Sequence, residues 1–327
     1  MRLTATEKHE IIQQVTRSEL GVKRTLEEYG ISRSTFYKWY QSYLKQGFDG
    51  LKPKQRLTNR QWNSIPDSQK DLVVELALEY PELSSRELAF KITDEQGIYL
   101  SESSVYRILK QRGLIAAPNH ILISASNEFK DKTQFVHQMW QTDFTYFKII
   151  GWGWYYLSTI LDDYSRYIIH WELCDSMKAE DVKRTVNTAI AKARLKTKQK
   201  PKLLSDNGPC YVSNELKTYL KDQLKMKQVH GKPMHPQTQG KIERYHRTMK
   251  NVVKLNHFYH PEELTQALNE FVENYNNNRY HESLNNLTPA DVYYGRSDKI
   301  LEQRAVIKQK TIAKRRQLYN QEKILNL

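Results

Sequence analysis

QMWQTDFTYFKII at 138–150 is followed by GWYYLSTILDDYS at 153–165 and RYIIHWELC at 166–174. Aromatic and β-branched residues dominate all three runs. Gly151 and Gly153 separate the first two, and Asp162 to Ser165 separate the last two. Such runs, broken by turn residues, predict three consecutive antiparallel strands. Further on, the pattern predicts a helix near 178–196, a short strand in PKLLSD, and a helix near 213–223. A long helix at 238–256 and another at 261–277 complete it. Strands first and alternating elements afterwards predict an α/β domain with a mixed sheet.

Towards the N-terminus the period changes. Residues 5–46 read as three short helices, the first carrying Ile11, Ile12 and Val15 and the second Val22, Leu26 and Tyr29. Gly30 supplies a turn and Ser32 an N-cap for SRSTFYKWYQSYLKQG, which is helix-turn-helix spacing. At 100° per residue, Phe36, Trp39, Tyr40 and Tyr43 share one side of that third helix. Arg33, Ser34, Lys38, Gln41 and Lys45 are left for a DNA groove. Lys54 and Arg56 lie in a basic linker suited to tracking phosphates. A second helical unit follows, with a capping box at Ser84 and Glu87, a turn at Gly97, and a helix opening after Ser101. Val105, Ile108 and Leu109 face inward there, leaving Ser103, Ser104 and Arg107 available.

The chain has 327 residues, a formal charge of +14 and 39% hydrophobic residues. That balance supports globular cores and attracts polyanions, with nucleic acid as the expected partner. No apolar run approaches a membrane span and no signal segment is read at the N-terminus, so a soluble, intracellular protein is expected. Two isolated cysteines, Cys174 and Cys210, make neither a disulfide framework nor a zinc site and are read as packing residues. The expected domains are 1–50 and 66–115 (helix-turn-helix), joined by a basic linker at 51–65, then a linker at 116–135. The α/β domain follows at 136–296 and a basic tail at 297–327. The tail carries some helical pattern and is read as a DNA contact.

Three carboxylates stand out. Asp143 lies in the first strand, Asp206 ends the short fourth strand, and Glu243 opens the long helix. From three elements they can converge at one sheet edge, where crowded carboxylates call for a hard divalent cation. Glu243, Arg247, Lys250 and Lys254 share an arc of about 60° on their helix. That row suits a DNA backbone; a surface ion pair between Glu243 and Arg247 is the alternative. Lys241, Gln239 and His235, around the loop before the helix, are further candidates for DNA contact. Asp163 with Ser165 is read as a turn cap, Trp140 and Tyr146 as core, and His230, His246 and His281 as surface or helix-packing residues.

The segments WQTDFTYF, LDDYSRYIIHWEL, LLSDNGPCYVSNEL, HPQTQGKIERYHRTMK and YNNNRYHESLNNLTPADVYYG resemble the catalytic core of bacterial insertion-sequence transposases of the DDE class. These belong to the retroviral-integrase-like superfamily with the ribonuclease H fold. The resemblance runs over about 136–296 in order, and the tandem helix-turn-helix region resembles those transposases too. It implies a five-stranded ribonuclease H-like core. It implies Asp143, Asp206 and Glu243 as a catalytic triad holding two Mg²⁺ or Mn²⁺ ions, with Asp143 bridging them. It implies binding of terminal inverted repeats, strand cleavage and strand transfer by a dimer or larger assembly on double-stranded DNA in the bacterial cytoplasm, at the nucleoid. The alternative is a DNA-binding regulator with a decayed core. Between Asp206 and Glu243 lie 36 residues, one more than is usual in the family, and the loop before the helix is expected to absorb it. The zinc module of retroviral integrases is absent.

Overall fold

Polar caps and glycine turns shape the N-terminal helices as their spacing predicts. Thr4 and Glu7 form a capping box on α1 (Ala5–Arg17), α2 spans Val22–Glu28, and the Ser32 hydroxyl caps α3 (Arg33–Gln46). Gly30, at φ 62°, makes the left-handed turn between the last two. Ile11, Ile12, Val15, Leu26, Phe36 and Leu51 form a small core of their own. The computed structural model describes residues 3–18, 21–52, 61–115, 133–195, 200–230, 239–254 and 257–325. They fall into two units, Met1–Trp62 and Asn63–Leu327.

The second unit begins with α4 (Asp67–Glu79), α5 (Ser85–Gln96) and α6 (Glu102–Gln111), packed on Val73, Leu88, Ile92, Val105 and Ile108. The predicted box at Ser84 and Glu87 and the Ser101 cap both form. The sheet follows. β1 (Met139–Ile149), β2 (Gly153–Asp162) and β3 (Ile168–Cys174) are consecutive antiparallel strands. After α7 (Ala179–Ala193), β4 (Lys202–Ser205) runs parallel to β1 but pairs only with Met139, Trp140 and Gln141. Short helices α8 (Pro209–Val212) and α9 (Asn214–Thr218) lead to the three-residue β5 (Gln228–His230). The strand order is β3-β2-β1-β4-β5.

Helices cover both faces. On one, α10 (Gly240–Val253) and α11 (Pro261–Asn277) bring Ile242, Tyr245, Met249, Leu264 and Leu268 onto Phe147, Ile149, Leu157 and Leu161. On the other, Val182, Val186 and Ala189 of α7, with Tyr211 and Leu216, pack on Trp140, Ile160 and Leu203. This mixed five-stranded sheet between helical layers is a ribonuclease H-like core.

After α12 (Pro289–Tyr293), the basic tail is one continuous helix, α13 (Ser297–Leu325). It docks on the second helical trio. Arg304 forks onto Asp94 at 2.7 and 2.6 Å, and donates to the Asn286 carbonyl at 2.9 Å. Arg315 donates to the Tyr99 carbonyl, and the Tyr99 N–H donates to Thr311. These two arginines, read from sequence as part of a DNA-contacting tail, are buried at 8% and 6% exposure. A guanidinium so enclosed is held by its partners and is not presented to phosphate. The same contacts place residues 63–327 in one unit, where composition alone draws boundaries near 116–135 and 297.

Candidate active site

Asp143 points from β1 towards the α10 layer and is partly buried. Its Oδ1 accepts the Phe144 N–H at 2.9 Å, and its Oδ2 stands 3.4 Å from His246 Nδ1. Asp206 is the first residue beyond β4. Its Oδ1 accepts the Gly208 N–H at 2.9 Å, and a Cβ at position 208 would lie 3.0 Å from that oxygen. Glycine at 208 thus lets the backbone aim the carboxylate at close range. The Asp206 carbonyl lies 3.1 Å from His230 Nδ1.

The two aspartates act on the same neighbours. Burial pushes the Cys210 thiol up to about 11, the Asp206 charge adds to this, and Asp143 adds less. Burial likewise holds the Tyr211 hydroxyl well above its usual value, with Asp143 the largest charge contribution and Asp206 a smaller one. Cys210 is therefore a protonated packing residue, and Asp143 and Asp206 face one environment.

Glu243 sits in the first turn of α10 and is exposed. Among the described residues it makes no hydrogen bond or ion pair, so the Glu243–Arg247 pair is not formed there. His246, one turn further on, is the residue that reaches Asp143. The first turn of α10 has no side-chain cap, and the sheet supplies one. The Ile242 N–H donates to Gln141 Oε1 at 3.1 Å, satisfying one orphan amide of the helix start. Gln141 in turn donates to Asp163 at 2.6 Å, and the Lys241 ammonium pairs with the same carboxylate. Together they hold the helix start, and Glu243 with it, against β1.

Among the described residues no three His, Cys, Asp or Glu side chains stand close enough together to hold a metal. The β1–β4 pairing ends at Gln141 opposite Leu204, so Asp143 and Asp206 each lie two residues beyond it on neighbouring strands, and the first turn of α10, which carries Glu243, is held on β1; the three do not form a cage among the described residues. The donors present still suit a hard divalent cation, being carboxylate oxygens with no thiolate among them. The buried His246 Nε2, which has no partner, marks an unsatisfied polar position beside Asp143.

The remaining predicted contacts divide. Arg247 and Lys254 are exposed on α10. The Lys250 ammonium lies 4.9 Å from the Tyr146 ring centre. Its pKa is lowered, first by burial and then by Lys254, with Asp143 opposing. Arg33, Ser34, Lys38 and Gln41 are exposed on α3. On α6, Ser103 and Arg107 are exposed, though Arg107 bonds back to the Ser103 carbonyl at 3.0 Å, and Ser104 joins the Ser101 cap. Lys241, read from sequence as a DNA contact, has its ammonium paired with Asp163. Gln239 is also turned inward, 7% exposed with an unpartnered Nε2. His235, Lys54 and Arg56 lie outside the described residues.

Two other readings change, those of Asp163 and Tyr146. Asp162, not Asp163, caps the strand turn, accepting the Ser165 N–H and hydroxyl at 2.8 and 2.7 Å. His246 is buried against Asp143. His230 belongs to edge strand β5, beside Asp206. Tyr146 is 50% exposed, whereas Trp140 is core.

Comparison with known proteins agrees with this geometry. Residues 135–236 and 224–289 match integrase core domain families. Residues 7–57 match a helix-turn-helix domain and 35–109 a homeodomain-like domain. The transposase for transposon Tn552 of Staphylococcus aureus is 26% identical over 276 residues, 76% of this chain. The chain carries an integrase core domain with helix-turn-helix domains before it and is similar to transposases of the DDE class. It spans 56% of the length of that Staphylococcus relative. Two solved structures are also similar to this integrase-core chain. A simian T-cell lymphotropic virus intasome bound to the PP2A regulatory subunit B56 gamma is 17% identical. The match covers 68% of this chain and 74% of that one, with a TM-score of 0.42. The catalytic core of BIV integrase is 22% identical, over 50% of this chain and 97% of that one, with a TM-score of 0.36. No described helix is long and apolar enough to cross a membrane.

Proposed function

We propose that this chain binds the terminal inverted repeats of a mobile element, cuts a strand to free a 3′ hydroxyl, and joins that hydroxyl to target DNA. The observation that carries this reading is the parallel pairing of Gln141 with Leu204, which sets Asp143 and Asp206 each two residues beyond the last pair of neighbouring strands, with α10 and its basic face held on β1. The matched Staphylococcus protein is a transposase for a transposon, which supports the same reading. Asp143, Asp206 and Glu243 would hold Mg²⁺ or Mn²⁺, two ions for an in-line displacement. When bound, such ions stabilise charge on the phosphate and activate the attacking oxygen. The chain's own part is positioning. The Gly208 amide aims Asp206, His246 steadies Asp143, and the Gln141–Asp163–Lys241 cluster fixes the turn that carries Glu243. Arg247, Lys250 and Lys254 hold phosphates beside the reacting one. The α3 face reads the element end, with α6 as the second reader. Joining two ends calls for at least two copies on DNA, in the compartment that holds the chromosome.

The test is cleavage and joining of a labelled element-end duplex with Mg²⁺ or Mn²⁺. Wild type is expected to do both. Asp143→Asn, Asp206→Asn and Glu243→Gln are expected to bind the duplex and do neither. Retained activity in Glu243→Gln would remove Glu243 from the triad. Binding without cleavage by wild type would favour a regulator with a decayed core.

A further inference from the structure

Strand β4 ends early. It pairs β1 only as far as Gln141, so from Thr142 to Ile149 that edge of β1 has no strand beside it among the described residues. Strand alternation puts Asp143 on the α10 face and Tyr146 on the opposite face. A missing neighbour strand opens a way round the edge between them. Lys250 takes it, reaching from α10 to lie 4.9 Å from the Tyr146 ring centre while within the influence of the Asp143 charge.

Tyr146 has company. Trp154 on β2, one register step along, meets it edge to face, with ring centres 5.4 Å apart. Tyr146 is 50% and Trp154 53% exposed, although each would lose apolar area to water if covered. Lys148, the cross-strand partner of Trp154, holds its ammonium 6.0 Å from that ring. The result is two open aromatic rings between two cations, about 10 Å along the strand from Asp143.

This chemistry fits one occupant best. A protein partner would be expected to meet aliphatic surface, and the two ammonium groups beside these rings would have to lose water without a matching charge. Duplex DNA offers phosphates but hides the faces of its bases. An unpaired base offers a π-face for the ring and flanking phosphates for the two lysines. We infer that Tyr146 and Trp154 form a stacking platform for an unpaired base of a DNA strand, with Lys250 and Lys148 holding the phosphates to either side. Its place next to the reacting phosphate rests on the function proposed above; the binding itself rests on the rings and cations.

The experiment uses the full chain without divalent metal. The probes are an oligothymidylate carrying one 2-aminopurine and the same strand annealed to its complement. Wild type and Tyr146→Phe should quench the single-stranded probe by stacking. Tyr146→Ala and Trp154→Ala should each weaken single-strand binding by about tenfold and reduce the quench. Duplex binding, carried by α3 and α6, should not change. Circular dichroism and melting check that each variant is folded, and Tyr146→Phe keeps the test open if an alanine variant is not. The platform is overturned if the folded alanine variants bind and quench as wild type does. It is equally overturned if single strand and duplex weaken together, or if only the oligomeric state shifts, which would make the rings a contact between copies. If wild type quenches in this pattern yet never cuts DNA with metal, the platform stands and the cleavage reading falls. If it cuts DNA without this pattern, the cleavage reading stands and the platform falls.

Discussion

The two helix-turn-helix units are alike in plan and differ in attachment. Both cap the last helix with a serine and pack it on a handful of apolar side chains. The first closes its core within Met1–Trp62. The second adds a polar clamp to residues some 200 positions away: Asp94 to Arg304, Arg86 to Glu282, and Tyr99 to Thr311 and Arg315. Arg304 also lies over the Phe90 ring at 4.7 Å. A local motif therefore specifies a local fold and says nothing of what that fold is fastened to. The first unit has a core of its own, and the second is fastened to the body that carries the candidate active site.

The sharpest way to break this contrast is Arg304→Ala. It leaves the Asp94 carboxylate with only the Tyr280 hydroxyl, at 3.1 Å. Removing one partner of a buried ion pair costs about 4 kcal/mol. In urea unfolding, the transition of 63–327 should move to lower denaturant while that of 1–62 stays in place. If both transitions move together, the units are not independent. The reciprocal change is Leu26→Ala, at a side chain 1% exposed. Its cost of about 3 kcal/mol should fall on the first unit alone, read by the same unfolding curves.

A smaller effect comes from pH. Burial is the main cause that depresses His281 to about 3 and His170 to about 4, both in the second unit. An unfolded histidine titrates near pH 6.5. Between that value and the folded one, the unfolded chain binds more protons, so stability falls as the pH falls. It is complete above about pH 7. From pH 7 to 5 the second unit should lose roughly 1–2 kcal/mol through His281 and less through the half-buried His170, which solvent screens, and His281→Phe should flatten the dependence. An unchanged slope in that variant would show that the imidazole is not held neutral by its surroundings.

Much of this was legible because the relevant physics is local. Alternation marked β1 to β3, capping residues marked the helix starts, and the 3.6-residue period set Ile242, Tyr245 and Met249 inward on α10. What escaped depends on neighbours that periodicity does not describe. Tyr146 alternates like a core residue, yet that end of its sheet face lies open, and Trp154 beside it is exposed too. Asp162 and Asp163 differ by one position, and the register shift after Ile160 decides which of them caps the turn. Lys241 lies close to the cationic row of α10 in sequence, yet Asp163, 78 positions earlier, holds it. Arg304 and Arg315 look like any basic tail until Asp94 and Tyr99 are seen against them. Asp143 within β1 and Asp206 just past β4 could be singled out as carboxylates on two strands; that both lie two residues beyond the last pair needed the parallel pairing of β1 with β4.

The clamp on α13 also sets a timetable. Asp94 leaves the ribosome 210 residues ahead of Arg304. At about 5–20 residues per second, that is a delay on the order of 10–40 s. Through that interval the second helical unit has its own helices and, near the end, its contacts to Tyr280 and Glu282, but not the α13 part of its fastening. A nascent chain therefore completes its first helical unit early and the fastening of the second last, and a chain whose synthesis stops before α13 keeps, of the polar clamp, only the contacts of Arg86 with Glu282 and of Asp94 with Tyr280.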